Sequence, residues 1–139
     1  MIFAESVVDF EHDGAIYPPV TLPDASSYVW AAHHYDVVTL MSKRFRPWIT
    51  IDLTSTYKLP SLGSRGVAKT FKRMLAHVRG MGAKVGPRGI PTLVGECGVP
   101  FDMDHKKAFT GNFDMPIRAL EANMVRSLLP PAGCSLDTQ

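Results

Sequence analysis

The sequence predicts an α/β fold built on parallel strands. Two runs, YVWAAHHY at 28–35 and PTLVGE at 91–96, are apolar enough to be covered on both faces. Between them Val67, Phe71, Met74, Leu75 and Val78 recur at three- and four-residue spacing, the signature of an amphipathic helix. A buried strand, an amphipathic helix and another buried strand form the parallel crossover unit.

The elements follow in order. Ile2, Phe3, Ala4, Val7 and Val8 predict a short buried strand at the start. Gly14, Pro18, Pro19, Pro23 and Ser26 punctuate a loop over 10–26. Tyr28–Tyr35 is the second strand. Residues 37–63 are an excursion, within which Ile49, Ile51 and Leu53 alternate with Thr50, Asp52 and Thr54 and make a further short strand possible. The helix through Val67–Val78 carries Lys69, Lys72, Arg73 and Arg79 largely off its apolar stripe, and Gly80 and Gly82 are expected to stop it. The third buried strand is Pro91–Glu96. Residues 99–113 read as a loop. Asp114 then looks like a helix N-cap, with Pro116 in the first turn and Ile117, Leu120, Met124 and Leu128 as the apolar face. Pro130 and Pro131 end that helix, and residues 129–139 are expected to be unstructured.

Composition narrows the class. The chain has 139 residues, 45% hydrophobic and 20% charged, as one soluble globular unit would. The net charge of +2 gives no electrostatic case for nucleic acid. No run of about 18 apolar residues is present to cross a membrane. MIFAESVVDF lacks a basic leader region and carries Glu5 and Asp9 early, so it is not a signal peptide and the expected location is cytoplasmic. Cys97 and Cys134 have no metal or redox spacing and fit a reducing compartment. No metal or organic cofactor is implied.

The chemistry concentrates at the end of the third buried strand. In parallel α/β folds ligands sit at the carboxyl ends of the strands, and Glu96 stands there. Strand residues two apart share a face, so His33 and Tyr35 point one way and His34 the other. That weakens a metal site at His33–His34. It favours His33 and Tyr35 as one wall of a site, where a tyrosine hydroxyl can orient a carboxylate and keep it ionised. The bland alternative makes both residues core-edge side chains with incidental partners. Cys97, next to Glu96, is expected to face the helix layer as a buried, inert thiol. GMGAKVGPRG at 80–89 follows a helix and precedes a strand, the wrong order for a phosphate cradle. His12 and His105 are expected in solvent. His77 lies near the end of its helix, where a cation is mildly favoured. Trp48 either shapes a pocket or packs locally.

These residues carry a resemblance. VWAAHHYD, followed by TLVGECGVPFDMDHKKAFTGNFDMPIRALEANM, resembles the last part of a glycoside hydrolase family 5 catalytic domain, and is most similar to the fungal glucosylceramidase and steryl-β-glucosidase branch. The resemblance covers roughly residues 1–128. It implies a partial (β/α)8 TIM barrel, roughly strands 5–7 with their helices, against about 250 residues for a whole one. It implies Glu96, within Gly95-Glu96-Cys97-Gly98, as the catalytic nucleophile of retaining β-glycoside hydrolysis. It implies Tyr35 as the residue holding Glu96, and His33 as a contact for sugar hydroxyls. The substrate class implied is a β-glucoside such as glucosylceramide or a steryl glucoside. The family's acid/base glutamate follows an asparagine, and none of Glu5, Glu11, Glu96 and Glu121 does. The tail LLPPAGCSLDTQ departs from the family pattern. Two readings therefore stand: the nucleophile-bearing part of a hydrolase, or a non-catalytic half-barrel that binds a sugar or partner. In either, these 139 residues alone are expected to be marginally stable, aggregation-prone and unable to hydrolyse the substrate.

Overall fold

The computed structural model describes residues 1–4, 27–52, 54–55, 57–84 and 90–125. The expected continuation of the first strand beyond Ala4, the loop over 10–26, the second half of the GMGAKVGPRG stretch at 85–89, and the tail at 129–139 lie outside the described residues.

Strands β1 (Ile2–Ala4), β2 (Tyr28–His34) and β5 (Thr92–Cys97) form a sheet in the order β1-β2-β5, and both pairings are parallel. The excursion after β2 holds helix α1 (Val37–Ser42) and an antiparallel hairpin of β3 (Ile49–Ile51) and β4 (Pro60–Leu62). Helix α2 (Ser64–Ala83) crosses back to β5. A one-turn helix α3 (Met103–Lys106), a 3-10 turn (Lys107–Thr110), helix α4 (Asp114–Leu120) and a wide π-type turn (Glu121–Val125) complete the described chain.

Helix α2 covers one face of the sheet. Its Val78 and Met81 pack with Trp30, Ala32 and Ile90, joined by Ala4, Tyr28 and Val94. Val67, Phe71 and Met74 make a second cluster with Ala122, so the expected stripe is the buried stripe. A third cluster of Phe45, Met103 and Ala119 seats the segment after β5. The hairpin is locked to α2 by charge as well as by packing. Asp52 is buried and accepts from Arg73 Nε at 2.6 Å and from the Thr54 backbone at 2.9 Å. Burial pushes the Asp52 carboxyl up, but the hydrogen bonds from Thr54 and Arg73 outweigh it and hold the group below its ordinary value.

Several sequence expectations are corrected. Gly80 and Gly82 do not stop α2, which runs to Ala83. Gly82 serves close packing instead: a Cβ there would lie 2.6 Å from the Ile90 carbonyl oxygen and 2.2 Å from Thr92 Oγ1. Helix α1 opens the excursion over 37–63, for which the sequence indicates no more than a possible short strand. Its β-branched Val37, Val38 and Thr39 disfavour a helix, but Asp36 caps it, accepting from Val38 N at 3.2 Å. Residues 99–113 include α3 and the 3-10 turn. Asp114 is the first residue of α4 and not its cap; Asn112 Oδ1 accepts from the Asp114 backbone at 3.1 Å. The buried face of α4 is Pro116 and Ala119, continued by Asn123, while Ile117 points to solvent. Trp48 is exposed rather than packed.

Candidate active site

The site stands at the carboxyl ends of β2 and β5. Along the ladder Trp30 pairs with Thr92, Ala31 with Leu93 and Ala32 with Val94, after which the register shifts and His33 pairs with Glu96. Gly95 is thus an extra residue, a bulge in β5. The bulge decides the chemistry. Val94 packs toward α2, and a regular strand would turn Glu96, two residues on, the same way. The inserted residue turns Glu96 to the opposite face, beside His33. Only glycine fits at the bulge, because a Cβ on Gly95 would lie 2.6 Å from the Ala31 carbonyl oxygen.

Both oxygens of Glu96 have a partner on β2 or just past it. The Tyr35 hydroxyl donates to Glu96 Oε1. His33 Nε2 lies 3.5 Å from Oε2. The two rings stand edge to face, with centroids 6.5 Å apart at 85°. The Glu96 side chain remains 57% exposed, open to a ligand. The Tyr35 hydroxyl is pushed up to about 12 by its hydrogen bond to Glu96 first, then by burial and by the negative charges of Glu96 and Cys97. It stays a protonated donor at any working pH. Gly98 lies over the Tyr35 ring, and a Cβ there would sit 3.8 Å from its Cε1.

His34 takes the other face. It is buried, and its Nε2 lies 2.6 Å from Asn123 Oδ1 in the wide turn after α4. This contact ties the last described element to the strand that bears His33 and leads into Tyr35. Cys97 pairs with His34 in the ladder, on the helix side as expected, but it is exposed and not buried, because β5 is an edge of the described sheet. Two further carboxylates near this end serve the scaffold. Asp36 accepts from Thr39 Oγ1, from Thr50 Oγ1 at 2.9 Å and from the α1 backbone. Asp102 is held by the Lys43 ammonium, with Lys106 nearby, and its carboxyl lies below the ordinary value chiefly through the Lys43 hydrogen bond. Among the described residues, no three His, Cys, Asp or Glu side chains gather as a metal site. No described helix is long and apolar enough to cross a membrane.

Sequence reading thus brought together His33, Tyr35 and Glu96, and the structure places all three on one face. It missed the bulge. Gly95 directly before the acid was the available signal, since an isolated glycine within a strand marks a bulge or a close backbone approach.

No family model matches the chain. It is 30% identical over 125 residues to ergosteryl-β-glucosidase of Saccharomyces cerevisiae, an alignment covering 77% of this chain and 16% of that protein. It is 28% identical over 113 residues to a glucosylceramidase of Aspergillus fumigatus, covering 74% of this chain and 15% of the relative. Among solved structures, sterylglucosidase 1 of Cryptococcus neoformans, crystallised with a hit compound or with tris, superimposes with a TM-score of 0.60 at 27% identity over 71% of this chain. The chain covers 16% of that structure, so it spans a small part of the length of the relatives it matches.

Proposed function

We propose, from the premise that this chain is a homologue of part of the fungal steryl-β-glucosidases and glucosylceramidases of glycoside hydrolase family 5, that it carries the nucleophile side of a retaining β-glucosidase site. The observation that carries the reading is Glu96, turned by the Gly95 bulge onto one face with His33 and Tyr35.

A Glu96 oxygen attacks the anomeric carbon of a β-glucoside. The bond to the aglycone oxygen breaks, and a glycosyl ester forms on Glu96. Tyr35 fixes the carboxylate by donating to one oxygen, so the other is aimed without reorganisation. His33, beside that second oxygen, meets the sugar's hydroxyls. The leaving oxygen needs a proton from a second carboxyl about 5–5.5 Å from the nucleophile, and the same group then activates water. Asp36 and Asp52 are buried and bonded to their own scaffolds, so neither fills that role. The acid comes from another segment of a (β/α)8 barrel whose strands continue this sheet. The aglycone is a sterol or ceramide, as the names of the relatives suggest. A second reading, a non-catalytic half-barrel, is favoured by the sheet face that no described helix covers, on which Phe3 and Leu93 lie half exposed.

A leaving group of low pKa departs without a general acid, which allows the nucleophile to be tested alone. The chain is incubated with a dinitrophenyl 2-deoxy-2-fluoro-β-glucoside and its intact mass is read. The expected result is one fluoroglucosyl group, mapped to the peptide bearing Glu96 and absent from Glu96→Gln. A label that maps elsewhere, or persists in Glu96→Gln, removes the nucleophile assignment.

A further inference from the structure

Asn123 is a polar side chain in an apolar place. It lies in the wide π-type turn after α4 and is only 1% exposed. Its neighbour Ala122 packs against the cluster of Phe45, Met103 and Ala119 and also against that of Val67, Phe71 and Met74, so the turn is seated in both. Turns of this kind are rare and recur at functional sites.

The amide makes one bond and leaves one donor unmet. Asn123 Oδ1 lies 2.6 Å from His34 Nε2, and an amide oxygen can only accept, so the ring donates from Nε2. Asn123 Nδ2 is buried with no hydrogen-bond partner. An unmet buried donor is unfavourable, and an apolar side chain of similar size would avoid it. What the amide supplies that leucine would not is the bond to His34. His34 is itself buried and stands between His33 and Tyr35. It pairs in the ladder with Cys97, one residue past Glu96, just beyond the register shift at Ala32/His33. Successive strand side chains point to opposite faces, so the rotation of His34 about the strand fixes the faces taken by His33 and Tyr35. The shift interrupts the ladder there, and the bond to Asn123 holds the strand end against turning.

We propose that Asn123 and His34 are positioning residues for Glu96: the turn after α4 grips the end of β2 through their 2.6 Å bond and so sets Tyr35 and His33 against the carboxylate. Neither residue lies on the face that receives substrate. Glu96 meets Tyr35 and His33 on one face of the sheet and Asn123 meets His34 on the other, so the bond acts through the backbone of β2. This role rests on the reading of Glu96 as nucleophile, although the Tyr35–Glu96 contact can be followed without any substrate.

The test compares Asn123→Leu with Asn123→Asp in the 139-residue chain. Aspartate keeps an oxygen for the His34 ring, and leucine fills the space without one. Circular dichroism and urea unfolding report the fold. The late titration of Tyr35 reports its bond to Glu96, which a role in stability alone would not move. The third readout is the rate of fluoroglucosyl labelling at Glu96. Asn123→Leu should stay folded, bring the Tyr35 step back toward the ordinary tyrosine range, and label about tenfold more slowly, as a misaimed nucleophile does. Asn123→Asp should keep the late step and the parent's labelling rate. Asn123→Ser, too short to reach the ring, carries the same expectation as leucine and decides the matter if the leucine variant does not fold. A folded Asn123→Leu or Asn123→Ser with the parent's late step and labelling rate overturns the proposal, whatever its stability. So does loss of the late step in a folded Asn123→Asp, which would make the effect one of packing. If the parent shows the late step but takes no label at Glu96, the nucleophile reading fails, and the titration alone decides whether Asn123 positions Tyr35.

Discussion

The hydroxyl of Tyr35 is the most informative single group in the candidate site, because its titration reports its partner. An isolated tyrosine gains nothing from holding its proton beyond the ordinary value of 10.0; donating to Glu96 holds this one to about 12. A proton held more tightly in the folded chain supports folding in full below pH 10, and that support is lost as pH rises through 12. Near-UV absorbance should therefore show a late tyrosine step that belongs to Tyr35. Tyr35→Phe should remove that late step, and Glu96→Gln should return it toward the ordinary range. The alkaline fall in the urea midpoint should be shallower in Tyr35→Phe than in the parent. Absence of the late step from the folded parent would dissolve the Tyr35–Glu96 pair.

At the scale of the strand, the bulge in β5 is what converts a structural position into a chemical one. Gly95→Ala forces a methyl against the Ala31 carbonyl, and the strand must either shift or lose its extra residue. The expected cost is about 1–3 kcal/mol, seen as a lower denaturant midpoint at unchanged slope. Losing the bulge also turns Glu96 toward the helix side, so the late tyrosine titration should vanish in the same variant. Retention of both stability and late titration would mean that the bulge is not required. This element also shows where sequence reading stops. The strands and α2 were legible because continuous apolar runs and a 3.6-residue stripe survive in any context. Glu96, His33 and Tyr35 were legible from strand ends and alternation. The bulge itself was not, since strict alternation places Glu96 with Val94. Nor was α1, where the cap at Asp36 overrides β-branched residues, nor the left-handed run at Asp104–Lys106, which contains no glycine. The face of α4 was misread because Ile117 looked like core, whereas the small Pro116 and Ala119 allow the close approach.

At the scale of the whole molecule, the described sheet has three parallel strands and helix α2 on one face only. Parallel sheets are ordinarily covered on both faces, and their edges are ordinarily paired or blunted. Here Phe3 and Leu93, on strands β1 and β5, lie 57% and 49% exposed on the side that no described helix covers. Leu93 shares that face with Ala31, its ladder partner, and precedes the bulge that brings Glu96 to the same face. In a barrel these positions would form interior layers, so the surface that is apolar in the isolated chain is the one further strands would bury. Leu93→Lys places a charge there without entering the cluster around Trp30 and Val78. Stability should stay within about 0.5 kcal/mol of the parent, as for other exposed substitutions. Concentration-dependent light scattering should fall, because a charge on an open sheet face opposes stacking by another chain. Loss of the cooperative unfolding transition in Leu93→Lys would show instead that the folded chain packs this face internally. That side would then not be the place where further strands join.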